Sequence, residues 1–253
     1  MQPFFKCLLG EFRKRKRSYF MLLHIVLPFL LPGILVLYYF SRNTQVDVTG
    51  SYVVLFLLIG IGTPVIISIL SGMVADAESE AGHFQNILGL IPNKRILFLS
   101  QISMMILSYS VAIFFTITIY ILGLKFIVHL EGINSIHFYL TGIIFIATAI
   151  FQHFFYHYIS YKHGIEISGI FGFVGMIITA ISLSTLGDEI WVFLPWAWAN
   201  RVSEYLTQSL RIIDLKQFFG NIPIIAFYSF VILTVSIIFI NMIWINKWEG
   251  RKT

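Results

Sequence analysis

Six stretches of this 253-residue chain are long and apolar enough to cross a bilayer, and that feature removes most of the folds otherwise open to it. A helix needs about 20 apolar residues to traverse a hydrocarbon core of about 30 Å. The stretches cover residues 18–40, 52–75, 96–122, 138–158, 166–186 and 222–245. Outer-membrane strands would alternate in polarity; the run at residues 224–240 does not, so helices are expected. Composition agrees, with 58% apolar and 11% charged residues and a mean hydropathy of +0.85, against about 25% charged in soluble domains. A chain of 29.1 kDa cannot bury so much apolar surface within itself, so lipid must cover the excess. A soluble enzyme, a secreted disulfide scaffold and a disordered regulator are thereby excluded. The single cysteine, Cys7, cannot form an internal disulfide. The expected fold class is an all-α polytopic membrane protein with six transmembrane helices.

The basic residues orient those helices. Lys6, the run at residues 13–17, Lys94, Arg95, Lys162, Lys247, Arg251 and Lys252 fall on one side, twelve of the 17 Lys and Arg. Arg42, Lys125, Arg201, Arg211 and Lys216 fall on the other. The excess of positive charge belongs in the cytoplasm, so both termini are expected there, in a multi-pass protein of the plasma membrane. The net charge of +5 then calls for no nucleic acid partner. The basic run also resembles the start of a signal peptide, but the following apolar stretch is too long and ends in Tyr38, Tyr39 and Phe40 instead of a small-residue cleavage site. No repeat or linker interrupts the spans, so residues 1–253 are read as one membrane domain.

Three segments between or before the spans have a shape of their own. Residues 1–11 are amphipathic, with Phe4, Phe5, Leu8 and Leu9 apolar, and lead into the basic run, as suits a helix in the inner headgroup layer. In the connection at residues 76–95, Phe84, Ile87, Leu88 and Ile91 follow a helical i, i+3, i+4, i+7 spacing that Pro92 terminates. Such a stripe either packs on the ends of its own bundle or docks a cytosolic partner. In the outer segment, Trp198, Val202, Tyr205, Leu206, Leu210 and Ile213 form one face of a helix suited to the outer interface, with Asp214 as a cap for a second turn ending at Gly220. That segment is expected to be a structural rim.

Catalytic chemistry is missing from the pattern. There is no Gly-Lys pair for a phosphate-cradling loop, no His-Glu-x-x-His and no Gly-x-Ser-x-Gly. His153 and His157 share a face of the fourth span, one turn before Tyr161, but no carboxylate joins them, and hydrogen bonding between helices is the expected role. Glu166 reads as a cap beside Lys162 and His163, and no acidic group stands at mid-membrane, which argues against ion-coupled transport. Ser168, Gly169, Gly172 and Gly175 permit close helix approach, either within the chain or at a subunit interface. Gly60, Gly62 and Pro64 should kink the second span.

The sequence Glu80-Ala81-Gly82-x-Phe84-Gln85-x-x-Leu88-Gly89, followed by Asn93-Lys94-Arg95 and the third span, resembles the permease subunits of lantibiotic self-immunity ABC exporters, within the type-2 exporter permeases. Leu194-Pro195-Trp196-Ala197-Trp198 is similar too, as is the order of a basic amphipathic start, six spans and a long outer segment before the sixth. The resemblance implies a half-transporter that works with two copies of a cytosolic ABC ATPase and a second, different permease chain. ATP and Mg would belong to the ATPase, with no cofactor, metal or catalytic residue on this chain. The cargo would be an amphipathic antimicrobial peptide expelled from the membrane of a Gram-positive cell. On this resemblance Glu80, Gly82, Phe84, Gln85, Ile87 and Leu88 form the coupling helix that docks the ATPase. Ser168, Gly169, Gly172 and Gly175 meet the partner permease, and Pro195, Trp196 and Trp198 form the outer rim.

Overall fold

The computed structural model describes residues 3–42, 46–82, 84, 93–208 and 222–251, and the helices follow the sequence pattern closely. They are α1 (Pro3–Arg15), α2 (Tyr19–Arg42), α3 (Val48–Glu80), α4 (Lys94–Phe126), α5 (Ser135–His163), α6 (Ile165–Ser182), α7 (Trp198–Gln208) and α8 (Ile224–Lys247). Six of them, α2 to α6 and α8, are long and apolar enough to cross a membrane. Short polar side chains start three of them. Asp47 accepts from Gly50 N, Asn93 from Arg95 N and Asn134 from Ile136 N, each satisfying an amide that the first helical turn leaves free. Gly164 both ends α5 and begins α6, at φ 92°, a left-handed conformation that glycine adopts without strain.

Both α3 and α4 have 33 residues, about 50 Å of helix, and so extend well past a hydrocarbon core. Helix α3 stays helical through Pro64, and Thr63 Oγ donates to the Ile59 carbonyl in the turn that proline weakens. The expected fifth span is shorter than its sequence suggested: α6 stops at Ser182, with 18 residues, and two 3₁₀ turns (Thr185–Gly187 and Trp191–Phe193) follow.

Helix α3 lies at the centre, packed on α5, α6 and α7 and touching α2; α4 bridges α1, α2 and α5, and α8 leans on α5 and α4. One core cluster joins Tyr52, Leu55 and Phe56 of α3 to Tyr120 of α4 and Phe138 and Phe145 of α5. A second gathers Phe20, Val74, Phe84, Phe98, Tyr161, Ile245 and Trp248 at the end of the bundle where α1 and the close of α8 meet, hereafter the near end. A third seats Trp191 and Trp198 against Phe151 and Ala226. Helix α1 turns Cys7, Leu8 and Phe12 onto the second cluster and leaves Phe5 and Leu9 about half exposed, an amphipathic helix laid along the bundle end.

Candidate functional site

The connection that leaves α3 is rooted in the protein's own core. Ala81 ends the helix, Gly82 takes φ 130°, and Phe84 takes φ 65° with its amide donating to Glu78 O at 3.2 Å. Positive φ on a phenylalanine persists only where surrounding contacts over-determine it. Here they do: the ring is 2% exposed, lies 5.6 Å from Tyr161 and 4.9 Å edge-on to Trp248, and carries the Arg251 guanidinium at 5.6 Å. Phe84 was expected as a knob presented to a partner, and that expectation is corrected. Apolar area this large gains more from a ready-made aromatic pocket one turn from its own helix than from waiting on a second protein. Glu80 is exposed and Gly82 half-buried beside it, while Gln85, Ile87 and Leu88 lie outside the described residues.

Beneath Phe84 is a buried network of charged and polar groups. Lys14 Nζ stands 2.8 Å from both Glu11 and Glu78, and Arg15 Nη2 stands 3.7 Å from Glu11 and 3.6 Å from Glu78 while donating to Val74 O at 3.2 Å. Glu11, Arg15 and Glu78 are almost wholly buried. Two carboxylates and two cations balance, which is what permits charge here at all, because an unpaired buried ion is costly. Burial works against the Lys14 ammonium, but hydrogen bonds to Glu11 and Glu78 and their charges outweigh it and hold its pKa above the ordinary lysine value. One layer further in, His157 Nε2 donates to Gln101 Oε1 at 3.2 Å, and Tyr161 donates to the same oxygen.

His157 therefore bonds between helices, as expected, whereas His153 donates back to Ala149 O at 2.8 Å within α5. Among the described residues no group of three or more His, Cys, Asp or Glu could hold a metal ion. Sequence reasoning missed Glu11, Arg15, Gln101 and Arg251. Glu11 and Arg15 do stand at the i, i+4 spacing of a helical ion pair, and Gln101 is a polar group inside an apolar span, so both signals were present.

The small residues of α6 face inward. Ser168 Oγ donates to Ser68 O at 3.1 Å. A Cβ on Gly172 would come within 2.0 Å of Ser68 Oγ, and one on Gly175 within 2.4 Å of Tyr156 Oη. Ser168, Gly172 and Gly175 thus serve the α3–α6 and α5–α6 contacts and are corrected from a subunit interface to an intrachain one. Of the three glycines of α6, Gly169 alone has open space around it. The outward face of α6 instead shows Ile170, Phe173, Val174 and Ile177.

The expected outer rim is also corrected. Trp198 is 2% exposed and donates to Val192 O; Trp196 Nε1 donates to Tyr156 Oη at 2.7 Å, and Thr179 donates to Trp196 O. Pro195 is buried as well. Tyr156 stands 7 residues from the last residue of α5 and Gly175 10 residues from the first residue of α6, roughly 10–15 Å along each helix. The segment therefore dips into the bundle and is no surface belt. Helix α7 climbs from there between α3 and α5, Asn200 resting where a Cβ on Gly60 would lie 1.9 Å from its Oδ1. Leu210, Ile213, Asp214 and Gly220 lie outside the described residues.

The described bundle is thus six apolar spans packed around one of their number, α3, with an amphipathic helix laid along the near end. Residues 7–179 match the family model described as ABC-2 family transporter protein. The chain belongs to the ABC-2 transporter family. No curated protein and no solved structure matches it. The matched residues of this ABC-2 transporter run from within α1 to near the end of α6, so they include Glu11, Glu78, Phe84 and His157, while Trp196 and Arg251 lie beyond them. Membership makes the chain a multi-pass membrane component of an ABC transporter and implies a partner ATPase.

Proposed function

We propose that this chain is the permease subunit of an ABC exporter that expels a lantibiotic or similar amphipathic antimicrobial peptide from the plasma membrane of a Gram-positive bacterium. Two copies of a cytosolic ATPase would supply the energy, and a second, different permease would complete the pathway. The near end is cytoplasmic in this reading, because it carries Lys6, Lys14, Arg15, Lys94, Arg95, Lys247 and Arg251. Without a nucleotide-binding loop of its own, the permease receives work through a protein contact, and the α3–α4 connection is where that contact is made. The observation that carries the reading is the anchoring of this connection: Phe84 and Glu78 tie its root to α1, α5 and the end of α8, so a push there reaches several spans at once.

With Phe84 buried, Ile87, Leu88 and Ile91 are what remains of the apolar stripe to meet the ATPase. Leu88→Asp should leave the membrane level of the chain near normal, remove ATPase co-purification and abolish ATP-dependent loss of cell-bound peptide. Undiminished ATPase recovery from Leu88→Asp would place docking elsewhere. ATPase binding with no effect on peptide retention would leave the transporter family intact and overturn the cargo.

A further inference from the structure

One cation outside the docking stripe touches α3, the α3–α4 connection and the end of α5 together. Arg251 Nη2 lies 2.9 Å from Asp76 Oδ1 and donates to the Ser160 carbonyl at 2.7 Å. Its guanidinium lies 5.6 Å from the Phe84 ring centroid, and a Cβ on Gly164 would come within 3.1 Å of its Nη1. The Arg251 and Asp76 side chains are only 22% and 27% exposed. Just before Arg251, the Trp248 ring closes on Phe84 and its carbonyl accepts from Lys94 Nζ at 2.8 Å. The residues that follow α8 thus bridge the last turns of α3, the first turn of α4, and the junction of α5 with α6.

We infer that Arg251 is a positioning residue, a clasp that fixes the root of the α3–α4 connection to the end of α5. The inference rests on the reading of that connection as the ATPase-docking site. The chemistry favours arginine. The two N–H bonds of Nη2 serve the carboxylate and the helix-terminal carbonyl while the flat face of the guanidinium covers an aromatic ring, and a lysine ammonium has no such face. The Ser160 carbonyl belongs to the last turn of α5, where the backbone carries partial negative charge and favours a cation. Asp76 and Glu78 stand two residues apart, on different sides of α3, so the helix end is gripped from both: Glu78 by Lys14 and Arg15, Asp76 by Arg251. A displacement of the connection is passed to α5 through Arg251 as well as along α3 and α4.

The test uses the full-length chain with Cys7→Ser and a nitroxide on Glu80→Cys, an exposed position one turn beyond Asp76. Arg251→Ala should sharpen the nitroxide spectrum, reporting faster motion of the helix end. Arg251→Lys should give an intermediate spectrum, and Asp76→Arg combined with Arg251→Asp should recover part of the slow component, because the ion pair returns but the bond to the Ser160 carbonyl and the cover over Phe84 do not. In chains that keep Glu80, Arg251→Ala should lower ATPase recovery several-fold and the charge-reversed pair should regain part of it, a rescue that simple loss of packing does not predict. An unchanged spectrum in both Arg251→Ala and Arg251→Lys would overturn the clasp. A sharpened spectrum with undiminished ATPase recovery would support the clasp and overturn the docking reading on which it rests.

Discussion

Two glycines of α6, three residues apart, have opposite surroundings. A methyl group on Gly172 would meet Ser68 and the Pro64 carbonyl, whereas one on Gly169 would meet nothing within 4 Å. Gly172→Ala should force α6 away from α3 and lower the thermal stability of the purified protein by about 1–3 kcal/mol, while Gly169→Ala should leave it unchanged; equal effects would mean that the two helices do not meet at this face. The Glu78 carboxylate is similarly decisive. Glu78→Gln leaves Arg15 and Lys14 to share Glu11 alone, so the attachment of α1 should weaken and α1 should become accessible to protease. Lys14 sets a pH dependence on the same contact. Its pKa is raised in the folded state, so its contribution is fully present below the ordinary lysine value and is lost only as pH rises through the raised one. The Lys14 contribution to the attachment of α1 should therefore be flat across neutral pH and fall in strong alkali, and Lys14→Met should remove that alkaline step.

Among the elements, the segment between α6 and α8 departs furthest from its sequence pattern. Its amphipathic spacing is real, and α7 does form from Trp198. What covers the apolar face is the bundle, not the headgroup layer, because α6 is too short to reach past the membrane and turns the chain back inward at Ser182. Arg201 staples this return by donating to Ser182 O at 2.6 Å and pairing with Asp188 at 2.7 Å. The Trp196–Tyr156 hydrogen bond holds its deepest point. Tyr156→Phe should weaken it by about 1 kcal/mol, and Trp196→Leu should do more by also emptying the contact with Phe155. Hydrogen exchange should rise over residues 185–208 in both variants; exchange unchanged in Trp196→Leu would mean that the segment is held from elsewhere.

For the whole molecule, the unequal charge of the two ends is the testable quantity. With Cys7→Ser as background, a cysteine replacing Gln208 should react with an impermeant reagent on intact cells, and one replacing Asn93 should react only after the membrane is opened. The reverse pattern would invert the orientation and remove the docking site from reach of a cytosolic ATPase. Helices α2, α6 and α8 expose broad apolar faces, including Ile25, Phe29 and Leu37, Ile170 and Phe173, and Ile232 and Phe239. Lipid is the surrounding that such faces fit, and in the function proposed above a second permease would cover part of them.

The helices, their number and order, and the uneven placement of basic residues were legible in the sequence because each rests on local terms. Twenty apolar residues must be helical in lipid, where every backbone group has to be satisfied within its own segment. A polar side chain before such a run caps it whatever lies nearby. The partner of each face is a different kind of question. The small stripe of α6 and the aromatic Phe84 have the same periodicity whether they meet another chain or their own. Spacing specifies which side of a helix is apolar or smooth, and says nothing of what covers it. Only the tertiary structure, by bringing Ser68 against Gly172, Trp196 against Tyr156 and Arg251 over Phe84, decided that these surfaces are spent inside the molecule. Such contacts join residues far apart in the chain, and their geometry depends on how several helices pack at once.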